Sequence, residues 1–276
     1  MIVNYDIPGQ LCNRIWSVVP SIAYGLENNE KVLLINFDEY IRYFDNLNKN
    51  RYIKFASRKL LKKIIHSFKV RGYIQNGKPN IFLRLFGLNF IEGWPNILGN
   101  PQMVQKQADN IREVFRFDKD ITSAVDSQLL SVEDNCILVG IHIRRGDYRE
   151  WLSGKYYYTD EVYHRAMKEM ELELAQTGKK VRFLLCSNEK INLGSFSDLD
   201  CFTIVDTTGE KDLYALSGCN YIIGAPSTYS EWASFMGKVP VKYLMTENEK
   251  IMLADFSRII SFNKFENEKD FALVTV

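Results

Sequence analysis

The chain has 276 residues, 46% of them hydrophobic and 25% charged, with a formal net charge of +1. That is the composition of a folded domain protein, and it excludes the disordered, collagen-like and disulfide-scaffold classes. No apolar run reaches the roughly 20 residues of a membrane-spanning helix, and five scattered cysteines without a CxxC pair (Cys12, Cys136, Cys186, Cys201, Cys219) suggest neither a zinc site nor a disulfide framework.

The near-neutral total conceals an asymmetry. Residues 46–91 contain no Asp or Glu but eleven Lys and Arg, which leaves 24 basic against 34 acidic residues elsewhere. Such a split points to an anionic surface or ligand near the basic part. The opening stretch MIVNYDIPGQ has no basic start and meets Asp6 early, so no secretory signal is read and a cytoplasmic location is expected.

The first predicted element is the strand MIVNY, followed by a turn at Pro8 and Gly9, a helix from about Asn13 to Glu27 and the strand KVLLIN. This order is the pattern of a parallel βαβ unit. Patterning is weaker over residues 46–100. Within them, KFASRKLLKKIIHSFK (54–69) predicts a helix with Leu60, Leu61, Ile64, Ile65 and Phe68 on one side. Lys54, Arg58, Lys59, Lys62, Lys63 and Lys69 lie on the other. Either a solvated basic face or a face that meets anionic lipid or an acidic acceptor fits that pattern. No aromatic platform or motif for nucleic acid accompanies it.

The second half repeats the grammar. ILVGIHI (137–143) is a near-continuous apolar strand of the kind buried on both faces. A helix capped at Thr159 follows, then the strands VRFLLC, CFTIV, NYIIG and VKYLM with helical segments between them. Two α/β halves result, taken as residues 1–125 and 126–276. Cys136, Cys186 and Cys201 lie in or beside apolar runs and read as reduced core thiols.

The chemistry-bearing residues cluster at strand ends. His142, Arg144, Arg145 and Asp147 lie at or just beyond the end of ILVGIHI, where open α/β sheets bind ligands. Consecutive side chains of an extended chain point in opposite directions, so both arginines reach one spot only if the strand has ended. Gly146 allows that turn, and Asp147 is placed to hold one guanidinium in a bidentate pair. Guanidinium matches phosphate oxygens and stays charged. A diphosphate site and a purely structural Arg–Asp tie are both open on these residues. The embedded Arg-Gly-Asp follows a run of mostly apolar strand residues and is not read as an adhesive loop. A second cluster runs from Asp206 to Gly237, where Ser227, Thr228 and Ser230 supply hydroxyls at the start of a helix, a ready anion site. The turn Asp6 to Arg14 is a third, weaker signal, being neither GxGxxG nor a Walker loop.

Together the three segments resemble the α1,2-fucosyltransferases, and more widely the α1,2/α1,6/O-fucosyltransferase superfamily. His142-Ile-Arg-Arg-Gly-Asp-Tyr148 fits the family motif H-x-R-R-G-D-Y throughout. Gly9-Gln-Leu-Cys-Asn-Arg14 fits G-x-L-G-N-Q/R except that Cys12 stands where the family has glycine, and Asn220 through Ser227-Thr-Tyr-Ser-Glu-Trp-Ala233 fits the late motif. The resemblance implies a GT-B fold, two facing Rossmann-like domains with a cleft, donor on the C-terminal one. It implies metal-independent, inverting transfer of L-fucose from GDP-β-L-fucose to a glycan, with a galactoside α1,2 linkage in surface polysaccharide. No cofactor is implied. By position, Arg144, Arg145 and Asp147 would form the catalytic set. His142, Asp206, Ser227, Thr228 and Ser230, with Asn13 and Arg14 from the first domain, would complete the donor site. Asp147, Glu150 and Asp6 are the carboxylates available as acceptor base. Transfer of another GDP-sugar, and a non-catalytic sugar-nucleotide binder, are the alternatives. A peripheral contact of the 54–69 helix with anionic membrane is a further expectation.

Overall fold

A computed structural model describes residues 1–5, 7–35, 37–56, 59–71, 74–75, 78–79, 85, 87–91, 100–130, 135–261 and 273–275. The chain divides into two units, Met1–Lys119 and Asp120–Val276.

In the first unit, β1 (Ile2–Asn4), β2 (Val32–Ile35), β3 (Ile53–Ala56) and β6 (Asn89–Ile91) form a parallel sheet in the order β3-β2-β1-β6. The short strands β4 (Ile74–Gln75) and β5 (Lys78–Pro79) pair separately and antiparallel. Helix α1 (Leu11–Asn28) crosses from β1 to β2 and buries Ile15, Trp16, Val18, Val19, Ile22 and Ala23. It stops at Asn29, which adopts a left-handed conformation (φ 54°) and donates its N–H to the Gly25 carbonyl.

The segment read as one helix over 54–69 is two elements. Ile53 and Phe55 are buried and pair with Val32 and Leu34 of β2, while Lys54 between them is exposed. That alternation is a half-buried strand, and helix α2 (Lys59–Val70) begins only after it. Ile65 is buried, and Leu61 and Phe68 pack partly against the cluster of Val3, Tyr5, Ile35 and Phe90. Ile64, expected on the same apolar side, is exposed. Leu60, Lys69 and Arg58 of that reading lie outside the described side chains.

Helices α3 (Pro101–Lys106) and α4 (Ala108–Val114) complete the unit. Asn100 caps α3 by accepting from Met103 N at 2.8 Å, with proline in the first turn, where no N–H is needed. Phe37, Phe44, Phe55 and Phe115 form an aromatic core with ring centroids 5.1–6.2 Å apart.

The second unit starts with α5 (Lys119–Leu129), whose first residue closes the first unit, and β7 (Cys136–Ile143), buried from Ile137 onward. There follow α6 (Asp160–Leu174), β8 (Lys180–Ser187), β9 (Cys201–Phe202), α7 (Gly209–Ser217), β10 (Tyr221–Gly224), α8 (Thr228–Gly237) and β11 (Val241–Tyr243). The expected strand CFTIV is shorter than its apolar run, since only Cys201 and Phe202 pair with β8. Two antiparallel strands, β12 (Ser257–Ile259) and β13 (Leu273–Thr275), extend the sheet beyond β11. The order is β13-β12-β11-β10-β7-β8-β9, parallel from β11 to β9. From β7 the chain winds outward to β8 and β9, then returns to β10 on the other side of β7. The switch point, where open α/β sheets take ligands, therefore lies between the carboxyl ends of β7 and β10. All five cysteines are free, with Cys12, Cys186 and Cys219 buried. Among the described residues, no helix is long and apolar enough to cross a membrane.

Candidate active site

The two strands at the switch point approach closely because Gly224 has no side chain. A Cβ there would sit 2.7 Å from the His142 carbonyl oxygen, well inside contact distance. His142, next to last in β7, is only 4% exposed, with Nδ1 3.2 Å from Ser230 Oγ and its ring stacked on Tyr229 at 4.7 Å. Burial, and secondarily the Arg144 cation, push its pKa down to about 3, so the imidazole is neutral at physiological pH.

Beyond His142 the strand ends and the two arginines separate. Arg144 Nη2 lies 2.6 and 2.9 Å from the two carboxylate oxygens of Asp147. Its guanidinium carbon stands 4.8 Å from the centre of the Tyr148 ring. Arg145 is held elsewhere. Its Nε donates to the Tyr158 carbonyl at 3.2 Å and its Nη2 to Asp160 Oδ1 at 2.5 Å, at the start of α6. The two arginines thus have different anchors.

The turn that follows Arg145 is set by residues just past the end of β8. Asn188, one residue past the end of that strand, accepts from Arg145 N at 2.8 Å and donates to Arg145 O at 2.9 Å, continuing the ladder with a side chain. Gly146 turns with φ 66°, its N–H donating to Glu189 Oε1 at 3.0 Å, and a Cβ on it would lie 2.7 Å from Asn188 Nδ2. Both its left-handed backbone and this contact call for glycine.

On the β10 side, Ser227 is the N-cap of α8 and accepts from Tyr229 N at 3.3 Å. Thr228 opens the helix, and the Ser230 hydroxyl is 3.4 Å from the Ser227 carbonyl. This is a helix N-terminus with buried hydroxyls beside a partly buried arginine, an arrangement suited to an anion. Tyr148 bridges the two sides, its phenol donating to the Pro226 carbonyl at 2.6 Å.

His142, Arg144, Arg145, Asp147, Ser227, Thr228 and Ser230 therefore gather at the carboxyl ends of β7 and β10. Asp206 lies in the loop before α7, exposed, with a left-handed backbone (φ 50°) and its carbonyl accepting from Lys211 Nζ at 2.8 Å. Asn13 and Arg14 belong to α1 in the first unit, where Arg14 ion-pairs with Glu39 and lies over the Tyr40 ring at 5.0 Å. Glu150 is exposed, and Asp6 lies outside the described residues.

Tyr148, Asp160, Asn188 and Asp212 were not singled out from sequence. Asp212 is a buried carboxylate whose pKa burial raises to about 6, with the Thr207 hydroxyl bonded to it and acting the other way. Tyr148 was within reach, being the last residue of the quoted motif. Asp198 and Asp200, two positions apart, are taken up by basic side chains: Asp198 meets His164 (2.7 Å) and Lys168 (3.1 Å), and Asp200 meets Arg182 (3.0 Å). Among the described residues, no group of three His, Cys, Asp or Glu side chains is arranged to hold a metal ion.

Two α/β units on parallel sheets, with chemistry at the strand ends of the second, form a fold of the GT-B type shared with the solved structures below. The family model of glycosyl transferase family 11 matches residues 11–256, and the chain belongs to that family. Among solved structures it is similar to the α-1,6-fucosyltransferase NodZ soaked with GDP-fucose, at 13% identity and TM-score 0.57, covering 88% of this chain and 94% of that one. It is also similar to an Arabidopsis thaliana FUT1 variant in complex with GDP, at 12% identity and TM-score 0.59, covering 94% and 74%. POFUT1 in complex with GDP-fucose aligns at 10% identity and TM-score 0.54, covering 89% and 98%. No curated protein matches the sequence.

Proposed function

We propose that the chain transfers L-fucose from GDP-β-L-fucose to a glycan hydroxyl with inversion, forming an α1,2-linked galactoside in surface polysaccharide synthesis. The observation that carries the proposal is Arg144, fixed by Asp147 and Tyr148 beside the α8 N-terminus. In the reaction the bond from fucose C1 to the β-phosphate oxygen breaks and its electron pair leaves with GDP. The acceptor oxygen bonds to C1 and gives up its proton. Arg144 then supplies the fixed cation for the growing diphosphate charge, so that no metal is called on. The structures of NodZ and POFUT1 with GDP-fucose, and of FUT1 with GDP, support this donor.

In this reading residues 126–276 hold the donor and residues 1–125 the acceptor. Asp147 is occupied by Arg144, which leaves Glu150 as the described carboxylate of that loop to test as base. Helix α2 is assigned to an anionic membrane surface, with exposed Lys59 and Lys63 flanking exposed Ile64 and Val70. Sedimentation with anionic but not neutral vesicles, lost in Lys59→Glu/Lys63→Glu, tests that contact. For the activity, the test is a screen of GDP-sugars with galactose-terminated acceptors, scored by GDP release. Turnover with GDP-fucose alone supports the assignment; preference for a different GDP-sugar removes it.

A further inference from the structure

One buried side chain touches both halves of the anion site. The Tyr148 ring is 7% exposed. On one side Arg144 lies over it at 4.8 Å, and on the other its phenol donates at 2.6 Å to the carbonyl of Pro226, the residue before the Ser227 cap. Trp151 packs on the ring at 4.7 Å and Tyr156 lies 5.7 Å from Trp151, so the ring is held in place. Burial raises the phenol pKa, against the smaller opposing effects of Ser227 and Arg144, and keeps it a donor.

We propose that Tyr148 is a positioning residue that couples the β7 arginine to the α8 N-terminus, so that the two anion-binding elements act as one preorganised diphosphate site. The inference rests on the reading that this site takes GDP. An arginine has many rotamers to lose on meeting a phosphate, and a ring beneath it together with Asp147 removes much of that freedom before the ligand arrives. The phenol bond holds the second element at a fixed distance from the first.

The test is GDP binding by calorimetry, with kcat and KM for GDP-fucose and thermal melting, on wild type, Tyr148→Phe, Tyr148→Leu, Arg144→Ala and Tyr148→Leu/Arg144→Ala. Tyr148→Phe loses one hydrogen bond and weakens GDP by about fivefold. Tyr148→Leu also loses the ring under the guanidinium and weakens it by about a further tenfold. In the Arg144→Ala background the leucine substitution costs at most about fivefold, because the ring's contribution acts through a guanidinium no longer present. Equal losses in the two backgrounds overturn the coupling, as does a lowered melting point with unchanged GDP affinity. Should Tyr148→Leu fail to fold, Tyr148→Phe decides alone, and wild-type GDP affinity in that variant overturns the proposal. GDP binding by wild type with additive losses removes only the coupling. No GDP binding by wild type overturns both this inference and the donor assignment.

Discussion

Arg144 and Asp147, three residues apart, meet through one guanidinium nitrogen placed 2.6 and 2.9 Å from the two carboxylate oxygens. Asp147 is 65% exposed and Arg144 17%, so the pair adds little to stability, about 0–1 kcal/mol. Its value lies in where it holds the cation. Asp147→Ala is expected to lower kcat/KM for GDP-fucose by about 10- to 100-fold, the cost of a misplaced group, while the melting temperature moves by only a few degrees. Steady-state kinetics with differential scanning calorimetry check both halves of that outcome.

Arg144 and Arg145 separate under mutation. Arg144→Ala is expected to cut turnover by about 10²–10³, as for loss of a preorganised donor to a developing oxyanion, with the melting point nearly unchanged. Arg145→Ala strands Asp160 and leaves the Tyr158 carbonyl without its guanidinium partner, costing about 1.5–3 kcal/mol per charged bond lost. It should therefore melt markedly lower. A double-mutant cycle with Asp160→Ala measures the coupling, and equal melting points for Arg144→Ala and Arg145→Ala would contradict the division.

The pH dependence of stability contains two opposed contributions. Burial holds the His142 pKa near 3 in the folded chain, below its ordinary value of 6.5, so the unfolded chain binds its proton first and stability falls as pH drops from about 6.5 toward 3. The slope is about 1.4 kcal/mol per pH unit for one full proton. Asp212 has a folded pKa near 6 against 3.8, so the folded chain binds that proton first and stability falls as pH rises from 3.8 to 6. Between about pH 4 and 6 the two offset one another. Denaturant titrations across this range should show His142→Gln losing stability as pH rises and Asp212→Asn losing it as pH falls. The same slope in both variants would refute the assignment.

Leu152, Ser153 and Gly154 all have left-handed backbones, with φ of 49°, 57° and 78°, and Leu152 is 53% exposed. A left-handed residue other than glycine costs about 1–2 kcal/mol. Ser153→Gly should relieve part of this and raise the melting temperature, less the extra entropy glycine brings to the unfolded chain. A lower melting temperature would show that the serine side chain contributes more than its backbone costs.

Much of the site's chemistry was legible because it is local. The apolar run of β7 ending at His142, the glycine that turns the chain and the hydroxyls at the start of α8 are each neighbours in sequence. What was not legible is held by distant partners. Arg145 and Asp160 are 15 positions apart and meet where α6 begins, and Asn188 reaches Arg145 across 43 positions because β7 pairs with β8; no motif marks either contact. The reading of 54–69 as one helix missed β3 because two buried positions, Ile53 and Phe55, are too few to display a period of two before a strong helical pattern begins. Strands β12 and β13 went unread although FSRII and FALVTV around them are largely apolar, because each pairs over only three residues, too few to show a strand period.

The central claim is inverting transfer of fucose from a GDP donor, and the anomeric outcome tests it most directly. GDP-β-L-fucose and a galactose-terminated oligosaccharide, incubated with the protein and followed by NMR, should give acceptor-dependent GDP release and an α-linked fucoside on the galactose 2-hydroxyl. Loss of both signals in Arg144→Ala would tie the product to this site. A β-linked product, or no transfer from GDP-β-L-fucose while the folded protein turns over a different nucleotide sugar, would contradict the account.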